Sequence, residues 1–301
     1  MARLQYSDFL RQLYGYKVQK LNVNSGLTCP NRDGTKGYGG CTYCNNSSFT
    51  PAFSRASVDV TQQLLDAKSF YAGKYVDMKY VAYFQSFTNT YAPVEKLREL
   101  YGESLAVDDV VGLVVSTRPD CLSDEVLDLI QSINERHKVI VEIGVETSHD
   151  STLKLINRCH TWQCAHEAIS KVAQRGVAIG THLILGLPGE SVEDMMETVN
   201  SIAQLPISTI KFHQLQVLQG TRLAQQWERG EAHVLNWTPQ EYALLCHRII
   251  NKLPERIVIE RMVSTAPSEL LIHPKWGLKP AQFKKIFEKK IYENVVRMKI
   301  M

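Results

Sequence analysis

Three cysteines, Cys29, Cys41 and Cys44, fall within the stretch GLTCPNRDGTKGYGGCTYCNNSSF at residues 26–49. Three chemistries use thiols spaced like this. A structural zinc site wants four ligands in a closed tetrahedron. CTYC offers half of one and Cys29 a third ligand, but the next cysteine is Cys121 and the first histidine is His137. A CxxC redox pair leaves Cys29 without a part, and CTYC sits in a polar loop rather than at an evident helix start. An iron–sulfur cluster with one iron free of protein ligands needs only three thiolates. Its open iron can take a small molecule through amine and carboxylate groups. The spacing favours this third chemistry. Gly37, Gly39 and Gly40, just before Cys41, suit backbone that wraps a cluster closely with amide N–H groups aimed at it.

Further candidates lie downstream. Glu142 stands within an apolar strand pattern, where a buried carboxylate needs a donor partner or a role. Arg158 offers a fixed donor fork, or else a surface ion pair. His182 and His213 alternate into strand patterns and are candidate substrate contacts facing the interior of the fold, against the plainer reading of satisfied core histidines. Cys159, His160, Cys164 and His166 suggest a second metal site, but one short helix seldom turns four ligands inward, and buried free cysteine is common.

The elements that must position these residues alternate regularly. Strand-like stretches run at residues 17–23, 80–84, 110–117, 138–146, 177–186 and 208–218, and helical patterns separate them. Ser123 and Ser191 each precede acidic residues as helix N-cap signals, and Gly176 is a C-cap candidate. Six alternations predict a parallel sheet with crossover helices, doubly wound or closed as a barrel. Either way the C-terminal strand ends form the functional side, and the cysteine loop follows the first strand. RIVIERMVS, residues 256–264, could add a strand.

The chain of 301 residues is 44% hydrophobic and 22% charged, which is ordinary globular composition. Its start lacks an apolar signal-peptide core, and no run approaches a membrane span. A cytoplasmic protein with no membrane association is expected. Seven cysteines in such a chain point to metal or redox chemistry rather than a disulfide framework. The net charge of +3 is uneven: residues 275–301 carry eight Lys/Arg against two acids. There Phe283, Ile286, Phe287 and Ile291 share one helical face, with lysines opposite. That helix either docks on the sheet's helices with a solvated basic face or meets nucleic-acid phosphates.

These residues resemble the radical S-adenosylmethionine (SAM) superfamily, in particular its Elongator catalytic-subunit-like branch and the YhcC-type subgroup. The likeness runs from about Leu21 to the tail. The superfamily's common pattern is C-x3-C-x2-C; here it is C-x11-C-x2-C, with Tyr43 as the aromatic residue before the last cysteine. The resemblance implies an α/β fold, a partial (β/α)6 TIM-like barrel over residues 1–253 that includes the cluster loop. Residues 254–301 would be a C-terminal extension with the basic amphipathic helix. It implies a 4Fe–4S cluster on Cys29, Cys41 and Cys44, and a bound SAM. Reductive cleavage of SAM would give a 5′-deoxyadenosyl radical that abstracts a substrate hydrogen. By the same resemblance Tyr43, Gln85, Ser86, Thr88 and Asn89 would lie near SAM. Glu142 or Glu146 would face its ribose or the substrate, Arg158 its carboxylate, and Gly186 and Leu187 its adenine. An external one-electron donor such as flavodoxin or ferredoxin would be needed. Related branches that modify wobble uridine make tRNA a candidate substrate. The rival reading is a metal-stabilised nucleic-acid-binding protein without radical chemistry.

Overall fold

The structure is a computed structural model describing residues 3–48, 58–71 and 77–300, with side chains described to residue 290. The chain runs α1 (Tyr6–Tyr14), β1 (Val18–Val23), α2 (Val60–Tyr71), β2 (Lys79–Phe84), α3 (Val94–Leu105), β3 (Val110–Thr117), α4 (Asp124–Asn134), β4 (Lys138–Glu146) and α5 (Asp150–Leu155). It continues through α6 (Trp162–Gln174), β5 (Ala178–Leu185), α7 (Val192–Ala203), β6 (Thr209–Gln214), β7 (Val217–Leu218), α8 (Arg222–Glu228), α9 (Pro239–Lys252), β8 (Val258–Arg261), β9 (Leu271–His273) and α10 (Pro280–Ile300).

Seven strands form one sheet in the order β1-β2-β3-β4-β5-β6-β8, every neighbouring pair parallel. All six expected strands are in it, and RIVIERMVS supplies the seventh. The last expected strand divides: β6 stays in the sheet, and β7 pairs antiparallel with β9. The expected N-caps form as well. Ser123 Oγ accepts from the Val126 N–H at 3.4 Å, and Ser191 and Asp194 make a reciprocal capping box.

The two faces of the sheet take different partners because successive side chains point opposite ways. Phe84, Val115, Val141, Ile143, Leu183 and Phe212 face the crossover helices in the main core. Val81, Val114 and Ile140 face the concave side, where α1 packs on them through Leu10 and Tyr14. The Tyr14 hydroxyl donates to the Leu113 carbonyl at 3.1 Å. The sheet curls until its edge strands meet by side chain: Lys20 Nζ of β1 lies 3.0 Å from Glu260 Oε1 of β8. The result is a partial barrel, open between β1 and β8, with α1 plugging the end opposite the cysteine loop.

The segment after Leu253 therefore contributes both a sheet strand and α10. Phe283 is buried and Ile286 and Phe287 pack on the main core, so the apolar face of α10 is a docking face against α9. Lys284, Lys285 and Lys289 are exposed. The side chain of Ile291 lies outside the described residues.

Candidate active site

A cleft of about 230 Å³ opens at the C-terminal ends of the strands, walled by Cys29, Cys41 and Cys44 and by residues from β3 to β8. The thiol loop is held by its own backbone and by the segment after α5. The Arg32 N–H donates to the Cys29 carbonyl at 2.8 Å, and the Gly40 N–H to the Asn31 carbonyl at 2.8 Å. Asn157 Nδ2 donates to the Gly40 carbonyl at 2.8 Å. Gly40 has φ of +78°, and a Cβ there would sit 3.0 Å from Arg32 Nε, so both conformation and space require glycine.

Two amides and a guanidinium point at the sulfurs. Arg158 Nη1 lies 3.5 Å and Asn31 Nδ2 3.6 Å from Cys41 Sγ, and Asn46 Nδ2 lies 3.8 Å from Cys44 Sγ. Burial, with the neighbouring Cys41, pushes the Cys44 thiol up to about 11 despite Arg32. The three Sγ atoms are not all within 4.8 Å of one another. One zinc ion, with Zn–S of about 2.3 Å, would draw its sulfurs to roughly 3.8 Å. A cube that offers each thiolate its own iron accepts a wider set.

Around the thiols stand paired charges. Arg158 donates through Nη2 to the Gly144 carbonyl at 2.7 Å, pairs with Glu146 at 3.1 Å, and donates through Nε to His160 Nε2 at 3.0 Å. A Cβ on Gly144 would fall 2.5 Å from Arg158 Nη2, so glycine at that strand position admits the pair. Arg118 chelates Asp120 at 2.8 and 3.0 Å and donates to the Arg158 carbonyl at 2.7 Å. Its Nη1 is buried without a partner. Arg118 holds Asp120 down at about 2, although burial acts the other way.

Below the cleft, the barrel interior carries a charged hub centred on Glu142, which is 1% exposed. Its Oε1 accepts from Lys20 Nζ at 2.7 Å. Its Oε2 accepts from the Tyr83 hydroxyl at 2.8 Å, Ser116 Oγ at 3.0 Å, His182 Nε2 at 2.9 Å and Lys211 Nζ at 3.0 Å. Glu260 bridges the same two lysines, each at 3.0 Å. Burial opposes the Glu142 charge, but Lys20, Lys211 and the His182 hydrogen bond outweigh it and hold the carboxyl well below its usual range.

Most of the residues singled out from sequence converge here. The three cysteines, Tyr43, Gln85, Thr88, Glu142, Glu146, Arg158, His182 and His213 all line the cleft. Ser86, Asn89, Gly186 and Leu187 do not. Asn89 Nδ2 is spent on the carbonyls of Phe84, Ser86 and Ser116, so it braces the loop after β2. Gly186 faces Trp237, and Leu187 belongs to a separate apolar cluster. Asn157 to His160 follow α5 rather than lying on it, with φ of +54° at Asn157 and +60° at Cys159. Cys159, Cys164, His160 and His166 form no ligand cluster among the described residues. Sequence reasoning missed Lys20, Lys211, Arg118 and Arg261. The signal for the two lysines was a charge at an inward position of an apolar, period-two strand.

The radical SAM superfamily model matches residues 24–202, and the radical SAM C-terminal domain model matches 207–293. The chain belongs to the radical SAM superfamily. It is 40% identical to the uncharacterized protein YtqA of Bacillus subtilis over 89% of this chain and 83% of that one. It is 36% identical to the protein YhcC of Escherichia coli K12 over 89% and 85%. Its fold is similar to that of Elp3 from the archaeon Methanocaldococcus infernus, with a TM-score of 0.69 and 18% identity over 92% of this chain. The chain spans 63% of that structure. This is the radical SAM barrel that the resemblance implied, in an enzyme superfamily. Among the described residues no helix is long and apolar enough to cross a membrane.

Proposed function

We propose that the protein holds a 4Fe–4S cluster on Cys29, Cys41 and Cys44 and uses SAM bound beside it for hydrogen abstraction from a substrate. The observation that carries this is the thiol geometry: three cysteines of one loop wall one cleft, with Asn31, Asn46 and Arg158 aimed at the sulfurs of Cys41 and Cys44. When bound and reduced by an external donor such as flavodoxin or ferredoxin, the cluster supplies the electron that splits SAM into methionine and the hydrogen-abstracting 5′-deoxyadenosyl radical. The chain's own residues bind and shield. Asn31, Asn46 and Arg158 donate toward the sulfurs. Arg158 offers cationic donors for the SAM carboxylate, with the Arg118–Asp120 pair beside it. Gln85, Thr88 and Glu146 offer acceptors for its ammonium and ribose hydroxyls. Tyr43, Phe87, Ile184, Leu215 and Leu218 give the cleft apolar walls that limit water around a reactive intermediate.

The test is anaerobic reconstitution with iron and sulfide, then SAM and dithionite, with mass spectrometry for 5′-deoxyadenosine and methionine. Both products are expected in equal amounts. Metal binding without either would favour the rival nucleic-acid-binding reading.

The candidate substrate is tRNA, on the likeness to the Elongator branch and on the exposed Lys284, Lys285 and Lys289 of α10, which suit salt-dependent phosphate contact. α10 is a docked helix in any case.

Arg158→Ala is expected to weaken SAM binding by about 1.5–3 kcal/mol, the worth of a charged hydrogen bond, and to leave Glu146 unpaired at the cleft wall. Iron content should stay near wild type, because no thiol is lost. Equilibrium dialysis with labelled SAM measures this; unchanged affinity would confine Arg158 to its contacts with Glu146 and Gly144.

A further inference from the structure

The cleft contains one cation whose charge the hub and the thiols do not explain. Arg261 ends β8 and lines the cleft. Its Nη2 lies 3.2 Å from His213 Nε2, and its Nε is buried with no hydrogen-bond partner. Among the described residues no carboxylate lies within ion-pair distance of it. Glu260, one residue earlier, turns to Lys20 and Lys211 instead. The other arginines of the cleft are accounted for: Arg118 has Asp120, Arg158 has Glu146, and Arg32 sits against Cys44. A half-buried guanidinium with unused donors and no counter-charge is costly unless an anion arrives.

The surroundings are prepared for one. The neutral His213 ring accepts from Arg261 at Nε2, so its proton sits on Nδ1, leaving an N–H donor in the cleft. Burial and the adjacent Arg261 keep His213 well below its ordinary value, so it adds a donor and no second charge. His182, whose ring centroid is 5.5 Å away, donates Nε2–H to Glu142 and turns a bare Nδ1 away from the hub. Gln214 fixes the loop after β8: its Nε2 donates to the Ser264 carbonyl at 2.8 Å, and its Oε1 accepts from the Ser264 N–H at 2.7 Å. The subsite is thus assembled before any ligand binds, which lowers the ordering cost of binding.

We infer that the β6–β8 end of the cleft is a subsite for an anionic group of the substrate, a carboxylate or a phosphate, gripped by Arg261 beside His213. The inference rests on the proposed function only in taking this cleft as the place where substrate enters. It places the anion across the cleft from the thiols: Cys41, Arg158 and Glu146 line one side, and His182, His213 and Arg261 the other. The substrate hydrogen to be removed would lie between the anchored anion and the cluster.

The test is calorimetric titration of the reconstituted full chain, with saturating SAM present, using inorganic phosphate and acetate separately at constant ionic strength. A saturable site is expected for one or both, and the anion that binds identifies the source. Arg261→Gln should weaken it by about tenfold or more, the loss of one charged hydrogen bond. Arg261→Lys, which keeps the charge and covers the case where the Gln variant folds poorly, should retain more of the binding. The inference is overturned if neither anion binds saturably, if the Gln variant binds as tightly as wild type, or if an anion binds only when SAM is left out, which would assign Arg261 to SAM. Since anion binding needs no radical chemistry, failure to form 5′-deoxyadenosine would sink the proposed function without touching this result.

Discussion

Replacing Cys29, Cys41 or Cys44 by Ala is expected to abolish the cluster and, with it, all SAM cleavage. Each thiolate would hold its own iron, and the cube would be left with two protein ligands. Among the remaining cysteines, Cys121 and Cys159 touch Asp120 and Asn31 rather than the loop thiols, and Cys246 is buried in the main core. Cys121→Ala, Cys159→Ala and Cys246→Ala should therefore keep full iron and sulfide after anaerobic reconstitution. Visible absorption and iron analysis read all six variants on one scale. A loop variant that retains a 4Fe–4S complement, or a control variant that loses it, would show that the ligand set is wrong.

Glu142→Gln is expected to cost about 3–5 kcal/mol of folding stability, the usual penalty for breaking a buried ion network by removing one partner. Lys20 and Lys211 would then share Glu260 alone in the barrel interior, and the donors of Tyr83, Ser116 and His182 would lose a charged acceptor. Against a typical total of about 5–15 kcal/mol, that is a large share. Urea unfolding of wild type and variant measures it. Adding Lys211→Met to Glu142→Gln should restore part of the loss, because the excess buried charge is removed with it. A single-variant loss below about 1 kcal/mol would mean that the hub is not the keystone its geometry indicates. The pH dependence has a definite sign. The folded Glu142 carboxyl lies below its unfolded value, so its stabilisation is present above the ordinary carboxylate pKa of about 4.3. It is lost as pH falls through the folded value. The gap between wild type and Glu142→Gln should be full at neutral pH and close on acidification.

Much of the molecule was legible in the chain. The central strands β3 and β4 announced themselves by near-continuous apolar, β-branched runs, because both faces of the sheet are buried there. Ser123 and Ser191 fixed helix starts through local hydrogen bonds that need no distant partner. Cys29, Cys41 and Cys44 were readable as a candidate set because all three come from one loop. The division of β6 from β7 was not legible, since β7 is defined by pairing with β9, more than fifty residues later in the chain. Nor was the plug formed by α1, whose partners Val81, Val114 and Ile140 come from three different strands.

The sequence by itself determined the alternation of strand and helix, the side of the sheet where the candidate site lies, and the three thiols of one loop proposed to hold a cluster. These follow from periodicity, capping and short-range spacing, which are properties of contiguous residues. Only the tertiary structure decided which charges are partners. Glu142 proved to be the centre of a hub whose lysines come from β1 and β6, Asn89 a brace, and Arg261 a cation without a counter-charge among the described residues. Each of these depends on curling the sheet until β1 and β8 face one another across the interior. Pairing at such separation is set by strand order, register and side-chain direction together, and none of the three is contained in any single stretch of residues.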